Sequence, residues 1–369
     1  MRGNGCSSSS DAPPLLADRV RAGGLLAPGR PIVVLYSGGR DSTCLLDLAV
    51  RIAGRQRVGA LHVNYGLREA AEADERHCGE LCERLGVSLD VRRPRRPADS
   101  QSPAKPTVGN LQAWARDARY GAAAQIALER GAEVAAGHTA TDQVETILYR
   151  LASSPSRRAL LGMRPREGRL LRPLLECTRE QTATYCEQRG LAWREDESNG
   201  SDAFARNRIR RGLLPALDAI HPGARSNVLA LAQTLRDEAE VLDTAVDAAL
   251  VRADGIELER LRALPAALRR LVVQRLADEA AGGLAPGAAR RTDEILALGD
   301  SAARQSRGAR GRVHLDLAHG ARAVLQSGVL RFERRGTEAV TGTDATRQTA
   351  KAHGAREQTS ARSAPINRT

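Results

Sequence analysis

The stretch Pro31–Ser42, with the sequence PIVVLYSGGRDS, decides the fold of this chain. Its β-favouring apolar residues Ile32–Leu35 precede two glycines, and the next residues, TCLLDLAV, have the apolar period of an amphipathic helix. This order predicts a strand, a tight turn and a helix start. The N–H groups of such a turn form a concave anion site, to which the helix N-terminus adds partial positive charge. The stretch therefore predicts a phosphate-binding loop and, with it, a nucleotide ligand.

Two well-known nucleotide loops do not match this stretch. The sequence is neither GxxxxGK[ST] nor GxGxxG, which argues against the usual P-loop and against a dinucleotide fold. An ordinary turn of small residues between a strand and a helix is the alternative to a phosphate loop. The complete SGGRDS string favours the phosphate loop, because the two glycines let the backbone approach an anion closely.

Composition limits the class of protein. The chain has 369 residues, enough for two or three domains, and 42% of them are hydrophobic while only 2% are aromatic. The net charge is +12, and nearly all positive charge is arginine because lysine occurs only at Lys105 and Lys351. Arginine binds phosphate well, so an anionic partner is expected, with RNA or DNA as the leading candidate. Compositional drift towards arginine is the alternative.

Cysteine spacing and hydropathy bear on metals and on location. No CxxC pair occurs among the six cysteines, so neither a zinc site nor an iron–sulfur cluster is expected; they are Cys6, Cys44, Cys78, Cys82, Cys177 and Cys186. No apolar run reaches the length of about 18 residues that a transmembrane helix needs, and the N-terminus has no signal-peptide pattern. The sequence therefore predicts a cytoplasmic protein without a membrane partner.

The order of apolar patterns predicts the domain organisation. From about residue 28, predicted strands (32–36, 58–63, 87–91, 133–137) alternate with predicted helices (41–53, 70–85, 110–130, 142–151), which indicates a parallel sheet covered on both faces. Residues 1–27 are expected to be disordered or irregular, 28–217 to form the α/β domain, 218–335 to form a mostly helical domain, and 336–369 to form a disordered basic tail. In the helical domain, helices are predicted at 224–252, 258–280 and 288–298. Short strands follow at 312–317 and 323–334, with a turn at Gly320.

Polar residues follow three of the predicted strands. Ser37, Asn64 and His138 each lie at or just after a strand's carboxyl end, where parallel sheets bind ligands. The sequence therefore predicts that three separate motifs meet in one crevice.

Two further motifs have both a chemical and a structural interpretation. In NLQAWARDARY (110–120), Arg116 and Arg119 share a helix face and could bind a phosphate or a carboxylate, although such a pair is usually a solvated face. In GHTATDQVET (137–146), His138, Asp142 and Glu145 could surround a metal or a nucleotide. A helix cap at Thr141 followed by acids in the first turn explains the same residues structurally.

The SGGRDS loop resembles the phosphate loop of the PP-loop (N-type) ATP pyrophosphatases, which implies an adenine-nucleotide alpha-hydrolase-like fold for 28–217. The resemblance implies that Asp41 binds Mg²⁺ and that ATP phosphates contact the rest of the loop and its neighbours, namely Ser37, Gly38, Gly39, Arg40, Ser42, His62 and Asn64. Further motifs in order (HVNYGLR, ARDARY, GHTATDQVET, RPLL, DESN, RNRIR) extend it over roughly 30–220 to the tRNA(Ile)-lysidine synthetases within that family.

This closer resemblance implies a reaction, its partners and residue roles. ATP would adenylate C2–O of the wobble cytidine in the CAU anticodon of an isoleucine tRNA, and the amine of free lysine would then displace AMP to give lysidine. It implies that Arg116 or Arg119 stabilises charge in the transition state or binds the lysine carboxylate. It implies that His138 handles a proton or contacts the adenylate. It implies that Asp142 binds Mg²⁺ or the lysine ammonium. The helical domain and the arginine-dense segment at 206–217 would hold the tRNA. A homodimer is an open alternative to a monomer.

The chain also departs from the family pattern. The family commonly has paired aspartates where this chain has Thr141-Asp142, and often His at the positions of Thr139 and Tyr65. A missing acid would weaken Mg²⁺ or lysine binding unless Glu145 compensates. A tRNA thiolase of the same fold is a rival interpretation, against which the absence of CxxC argues. A non-catalytic RNA-binding relative is another, against which the complete phosphate loop argues.

Overall fold

A mostly parallel six-stranded sheet forms the centre of the first of two compact units, which divide between Glu238 and Ala239. The computed structural model describes 15–66, 70–95, 108–154, 157–195, 205–250, 255–300 and 312–335, without the side chains of 108–110, 112 and 319. The predicted basic tail at 336–369 and the first fourteen residues lie outside these ranges. The strands of this sheet are β1 (Ile32–Leu35), β2 (Val58–Val63), β3 (Ser88–Arg92), β4 (Glu133–Ala135), β5 (Arg166–Glu167) and β6 (Leu170–Leu171).

The sheet confirms the α/β prediction. Its strand order is β3-β2-β1-β4-β6-β5, and all neighbouring pairs are parallel except β5 with β6. The chain runs outward from β1 through β2 to β3, and then returns to β4 on the other side of β1. Such a reversal opens a crevice between the carboxyl ends of the two strands where the order changes. The crevice predicted from Ser37 and His138 therefore lies between β1 and β4.

Helices cover both faces of this sheet because β1 is apolar on both sides. Ile32 and Val34 belong to the core beneath the helices at 40–53 and 71–85, whereas Val33 and Leu35 pack on the other face against the helix at 108–129. The helices of the unit are α1 (Leu16–Ala22), α2 (Arg40–Ala53), α3 (Ala71–Leu85), α4 (Val108–Glu129), α5 (Ala140–Ser153), α6 (Arg157–Leu160), α7 (Arg179–Gln188), α8 (Ala205–Arg208), a π-helix (Ile209–Leu213) and α9 (Leu214–Ile220), with a 3₁₀ turn at Arg55–Arg57. The helix α10 (Ala224–Ala249) begins in this unit and continues past the division at Glu238.

The structure corrects the prediction of an irregular segment up to residue 27. The helix α1 forms within it, and Val20 and Leu26 are buried in the same core as β1. The apolar spacing of this short segment is interrupted by charges, so its burial depends on the tertiary contacts of α1 with α2 and α7. The strands β5 and β6 were also not expected, because two-residue strands have no period to detect.

The first compact unit extends past the predicted domain boundary at residue 217. Val228 and Leu229 of α10 pack against the buried cluster of Val144, Ile209 and Leu214. The first half of α10 thereby belongs to the core around α5.

The second unit contains a four-stranded antiparallel sheet of order β7-β10-β9-β8 with helices packed on it. A predicted helix at 258–280 is two helices, because Pro265 has no N–H to continue the first one and instead precedes the second. The turn predicted at Gly320 is confirmed by the 3₁₀ turn at Ala318–Gly320. The strand predicted at 323–334 is instead two strands, joined by a turn at Ser327-Gly328, where both residues have positive φ. The elements are β7 (Ile256–Glu257), α11 (Leu258–Ala263), α12 (Ala266–Ala281), a 3₁₀ turn (Ala288–Arg291), α13 (Thr292–Leu296), β8 (Val313–Asp316), a 3₁₀ turn (Ala318–Gly320), β9 (Ala321–Gln326) and β10 (Val329–Arg334).

None of the helices within the described ranges combines the length and the apolar content needed to cross a bilayer.

Candidate active site

The loop between β1 and α2 has the turn that its glycines predict. Gly38 has a φ of 78°, and a Cβ there would lie 3.1 Å from the sulfur of Cys78 on α3. Gly39 is the N-cap of α2, and no side chain caps this helix. The first N–H groups of α2 are therefore available to an anion, as at other helix N-termini.

Two serines hold the loop in shape. The Ser42 hydroxyl donates to the carbonyl of Gly39 at 2.8 Å and accepts from the N–H of Ser37 at 3.3 Å. The two hydroxyl oxygens, Ser37 Oγ and Ser42 Oγ, lie 3.1 Å apart. Ser42 is buried whereas Ser37 is exposed, so Ser42 braces the turn and Ser37 faces the solvent side where a ligand would bind.

The carboxylate of Asp41 is held by α7. The Thr182 hydroxyl donates to Oδ1 at 2.5 Å, and Nε of Arg179 lies 3.4 Å from Oδ2. Arg40 donates to Oδ1 at 3.3 Å. The sequence analysis assigned no role to Thr182 or Arg179, which are separated from Asp41 by about 140 residues. Asp41 is thereby fixed in position beside the loop.

The end of β4 lies directly against this loop. A Cβ on Gly137 would be 3.1 Å from the carbonyl carbon and oxygen of Asp41 and from the amide nitrogen of Ser42. Only a glycine allows the two backbones to approach so closely. The next residue is His138, so the prediction that the SGG and GHT motifs share one crevice holds for these two motifs.

His138 is uncharged at neutral pH. Its pKa is lowered to about 4, mainly by burial and to a smaller extent by the cations Arg172, Arg119 and Arg206, while Asp142 opposes the shift. Its Nδ1 atom is buried and has no hydrogen-bond partner among the described residues. A neutral imidazole with a pKa this low is a poor proton acceptor near pH 7, so it suits a hydrogen bond to a ligand better than general base catalysis.

Asp142 takes part in the capping box of α5. Thr139, and not Thr141 as the structural interpretation predicted, is the N-cap residue. The backbone N–H and the hydroxyl of Thr139 both donate to Oδ2 of Asp142 at 2.9 Å. Its other oxygen, Oδ1, lies 3.6 Å from a guanidinium nitrogen of Arg210. One carboxylate oxygen of Asp142 is thus free of short hydrogen bonds and points towards a cation.

Glu145 forms a bidentate ion pair with Arg210. Arg210 donates from Nε to Oε1 at 2.6 Å and from the terminal nitrogen to Oε2 at 3.0 Å. The Glu145 side chain is only 2% exposed. Arg210 lies on the π-helix within the arginine-dense segment, so this arginine turns inward instead of facing a polyanion. Glu145 is already bound by it, which argues against Glu145 replacing a missing aspartate at Thr141.

His62 and Asn64 brace the crevice from within. His62 is buried, and its Nδ1 lies 3.0 Å from the carbonyl oxygen of Tyr36. The Asn64 side chain accepts from the N–H of Gly66 at 2.9 Å and donates to Glu75 at 2.9 Å. Both predicted cofactor-binding residues therefore have their described polar contacts within the protein, at the end of β2.

Arg116 and Arg119 lie on one side of α4, as their spacing predicts. Their guanidinium carbons are 4.9 Å and 5.3 Å from the centre of the Tyr120 ring. The Nε of Arg119 is buried and lacks a partner within the described ranges, whereas Arg116 is exposed. The side chain of Asn110 lies outside the description.

The predicted metal ligands are compatible with Mg²⁺ brought by a nucleotide. In the described ranges, no three His, Cys, Asp or Glu side chains are grouped as a metal site. Mg²⁺ commonly takes one or two protein carboxylates and completes its shell with phosphates and water. Asp41 and Asp142 supply such carboxylates, and the charges of both raise the pKa of Arg210. The residues therefore fit a phosphate-bound Mg²⁺ but not a site built from protein alone.

A cavity of about 470 Å³ lies elsewhere in the first unit. Its walls include Arg172 and Gln143 but contain none of the predicted site residues. The crevice at the carboxyl ends of β1 and β4 is where the phosphate loop and the residues after β4 meet.

Comparisons with known proteins match most of the first compact unit. A family profile described as "PP-loop domain" matches residues 17–217. The chain is 36% identical over 269 residues to a tRNA(Ile)-lysidine synthase of Thermus thermophilus, covering 71% of this chain and 51% of that one. It is 37% identical over 272 residues to the protein of the same name from Solibacter usitatus, covering 70% and 59%. The chain thus spans somewhat over half the length of these two curated relatives.

Among solved structures, the chain is similar to the U34-tRNA thiolase NcsA from Methanococcus maripaludis. The TM-score is 0.49 and the identity is 16%, over 60% of this chain and 77% of that chain. A similarity this low has no bearing on the reaction.

Proposed function

The chain belongs to the PP-loop domain family, and from this premise we propose that it catalyses ATP-dependent ligation of lysine to a tRNA base. The product would be lysidine, formed at C2 of the wobble cytidine in the CAU anticodon of an isoleucine tRNA. The observation that carries the proposal is the contact of Gly137 with Asp41, which places the GHT motif beside the phosphate loop. The named activity of the relatives from Thermus and Solibacter supports it.

The first step would be adenylation of the base. The C2 oxygen attacks the α-phosphorus of ATP, a new O–P bond forms, and pyrophosphate leaves. The N–H groups at the start of α2 and the exposed Ser37 would bind the departing pyrophosphate, and Ser42 would support them by holding the loop in shape. Arg116 or Arg119 would stabilise charge that grows on the phosphates. Asp41 and Asp142 would hold Mg²⁺, which when bound would neutralise part of the phosphate charge.

The second step would be attack by lysine. The uncharged ε-amine adds to C2, the C2–O bond breaks, AMP leaves with the oxygen, and the amine nitrogen loses its proton. Asp142 has one carboxylate oxygen free of short hydrogen bonds, so we assign it to the lysine ammonium before attack, in addition to the metal. His138 would donate or accept a hydrogen bond to the adenylate, because its low pKa disfavours proton transfer at pH 7.

The proposed partners follow from charge and chemistry. The net charge of +12 favours an RNA partner, and isoleucine tRNA with a CAU anticodon and free L-lysine would be the substrates. The anticodon base would be reached only when it is splayed out of its loop. The rest of the tRNA would be recognised through its phosphates and the shape of its stem. We propose a cytoplasmic location and leave a homodimer as one form to be tested.

Pyrophosphate release tests this function. Purified protein is incubated with ATP, and lysine and an isoleucine tRNA transcript are added separately and together. Release that requires both, with lysidine in the digested tRNA, supports the synthetase. Release without lysine, with a sulfur donor instead, would support a thiolase. No release under any condition, together with tRNA binding, would support a non-catalytic RNA-binding protein.

A further inference from the structure

Five arginines of the first unit act electrostatically on His138 or on one another. We call Arg116 and Arg119 of α4, Arg150 of α5, Arg172 after β6 and Arg206 of α8 the arginine cluster. Arg119, Arg172 and Arg206 lower the pKa of the His138 ring through their charge. Arg116, Arg172 and Arg206 lower the pKa of the Arg150 guanidinium in the same way. Guanidinium groups from four separate elements therefore interact with His138 or with one another.

Two members of the cluster have unused donors. The Arg172 side chain is only 4% exposed, and its terminal nitrogens donate to the carbonyl of Arg164 at 2.6 Å and to Glu167 at 2.9 Å. Its Nε has no partner in the described structure, and neither does the buried Nε of Arg119. A buried N–H without an acceptor costs about 1–3 kcal/mol. An anionic ligand that accepts from these donors would remove that cost.

Glu167 is the one carboxylate hydrogen-bonded to the arginine cluster in the described ranges. It lies on the short strand β5, its side chain is 68% exposed, and Arg172, Arg116 and Arg150 together lower its pKa. Glu167 and Asp142, whose charge acts on His138, are two carboxylates against five arginines, which leaves an excess of positive charge. The cluster is therefore an anion site that the protein itself only partly neutralises.

The cluster lies beside the phosphate loop and not over it. Strand β4 neighbours β1, and β6 lies one strand farther out. Because neighbouring strands are about 4.8 Å apart, Arg172 after β6 emerges about 10 Å from the strand that carries the loop. An anion bound there would belong to the second substrate rather than to the pyrophosphate of ATP.

We propose that the arginine cluster, apart from whichever of Arg116 and Arg119 acts on ATP or lysine, binds a backbone phosphate of the RNA next to the base that is modified. This inference rests on the proposed function. Even without the α4 arginine that acts on ATP or lysine, four guanidinium groups are more than one amino-acid carboxylate needs, since a single arginine binds a carboxylate with two hydrogen bonds. The cluster also runs from the buried Arg172 to the exposed Arg116 and Arg206, as expected for a polymer that arrives from solvent.

Three variants and a control test the proposal. Arg206→Ala removes an exposed member without disturbing the core, and Arg172→Lys keeps the charge but loses the Nε donor and the paired contacts. Glu167→Gln removes the competing carboxylate. Arg57→Ala is the matched control, because Arg57 is exposed and precedes β2, at the amino-terminal end of the strands and away from the crevice.

Binding of an isoleucine tRNA transcript is measured over a range of salt concentrations without ATP or lysine. Arg206→Ala should weaken binding about tenfold and reduce the slope of log K against log[salt] by about one. Arg172→Lys should weaken binding by a similar factor. Glu167→Gln should strengthen it about threefold, and Arg57→Ala should stay within about twofold of the parent protein.

The outcomes separate this proposal from the proposed function. Unchanged RNA affinity and salt slope in Arg206→Ala and in Glu167→Gln would overturn it. The proposal would also be overturned if the variants raised only the KM of lysine, because the cluster would then be a carboxylate site. A loss confined to ATP binding would overturn it as well. If the protein makes no lysidine but the RNA affinities change as expected, the phosphate site stands and the proposed reaction fails.

Discussion

The two sides of the start of α5 differ in whether their polar groups have partners. On one side, which we call the acidic side, Asp41, Asp142 and Glu145 are all hydrogen-bonded within the protein. On the other side, the arginine cluster and His138 have buried nitrogens without a hydrogen-bond partner among the described residues. The acidic side is therefore formed before any ligand arrives, whereas the cluster is completed by one. The following predictions test this difference.

The largest effect is expected for Asp41→Ala. The variant should lose about a hundred- to a thousandfold in the rate of ATP-dependent modification, because it removes a fixed charge beside the phosphates. Binding of tRNA without ATP should stay within about twofold. Steady-state kinetics and a filter-binding assay measure the two effects.

Asp41→Asn is the matched control for this prediction. It keeps an acceptor for the Thr182 hydroxyl, and so it should keep the fold, but it should lose activity like the alanine variant. If either variant made lysidine at the parent rate, the acidic side would not be the metal and pyrophosphate side.

Arg210→Met should lower the free energy of unfolding by about 3 kcal/mol, because it leaves the buried Glu145 carboxylate without its partner. Urea denaturation measures the change. The double variant Glu145→Gln with Arg210→Met removes both charges and should recover part of the loss. Equal losses in the single and double variants would mean that the ion pair does not hold the acidic side together.

His138→Gln should change the pH dependence of stability. The folded pKa of His138 is about 4, below the ordinary value of about 6.5, so the unfolded chain binds a proton that the folded chain does not. Stability should therefore fall by up to about 3 kcal/mol from pH 6.5 to pH 4 in the parent protein, and less in the variant. The groups that face this ring are Asp142, Arg119, Arg172 and Arg206.

Parallel urea titrations at pH 4.5, 5.5 and 7 check this prediction. His221→Gln, at an exposed position outside the site, serves as the control and should keep the parent profile. If His138→Gln also kept that profile, the ring would not be held neutral by its burial and the neighbouring arginines.

The smallest effect is expected for Thr139→Ala. Loss of the N-cap hydroxyl from the capping box of α5 should cost about 1 kcal/mol of stability. Thr139→Ser retains the hydroxyl and should cost less. Thermal unfolding of the two variants measures the difference, and equal melting temperatures would show that Asp142 is positioned without the capping box.

The sequence allows prediction of those parts of the site that depend on local patterns. The phosphate loop follows from a buried strand, two glycines and an amphipathic helix, and the α/β class follows from the repetition of such units. The shared crevice of Ser37 and His138 follows from one rule about parallel sheets. These inferences need no knowledge of distant contacts.

The partners of the site residues could not be predicted in this way. Arg179 and Thr182 are about 140 residues from Asp41, and Arg210 is 65 residues from Glu145. Each pair meets only after the sheet has formed. An arginine-rich segment also looks like a polyanion surface, and nothing in its composition shows that Arg210 turns inward while Arg206 does not.

The π-helix at Ile209–Leu213 has a consequence for how such chains are aligned. A π-helical turn holds about one residue more than an α-helical turn, so the chain after it is one position out of step with an uninterrupted α-helix. Deleting one residue there would rotate the preceding side chains by about 100° relative to α9 and move Arg210 away from Glu145. A single-residue gap at this point in a sequence alignment would thus mark the gain or loss of this ion pair rather than an alignment error.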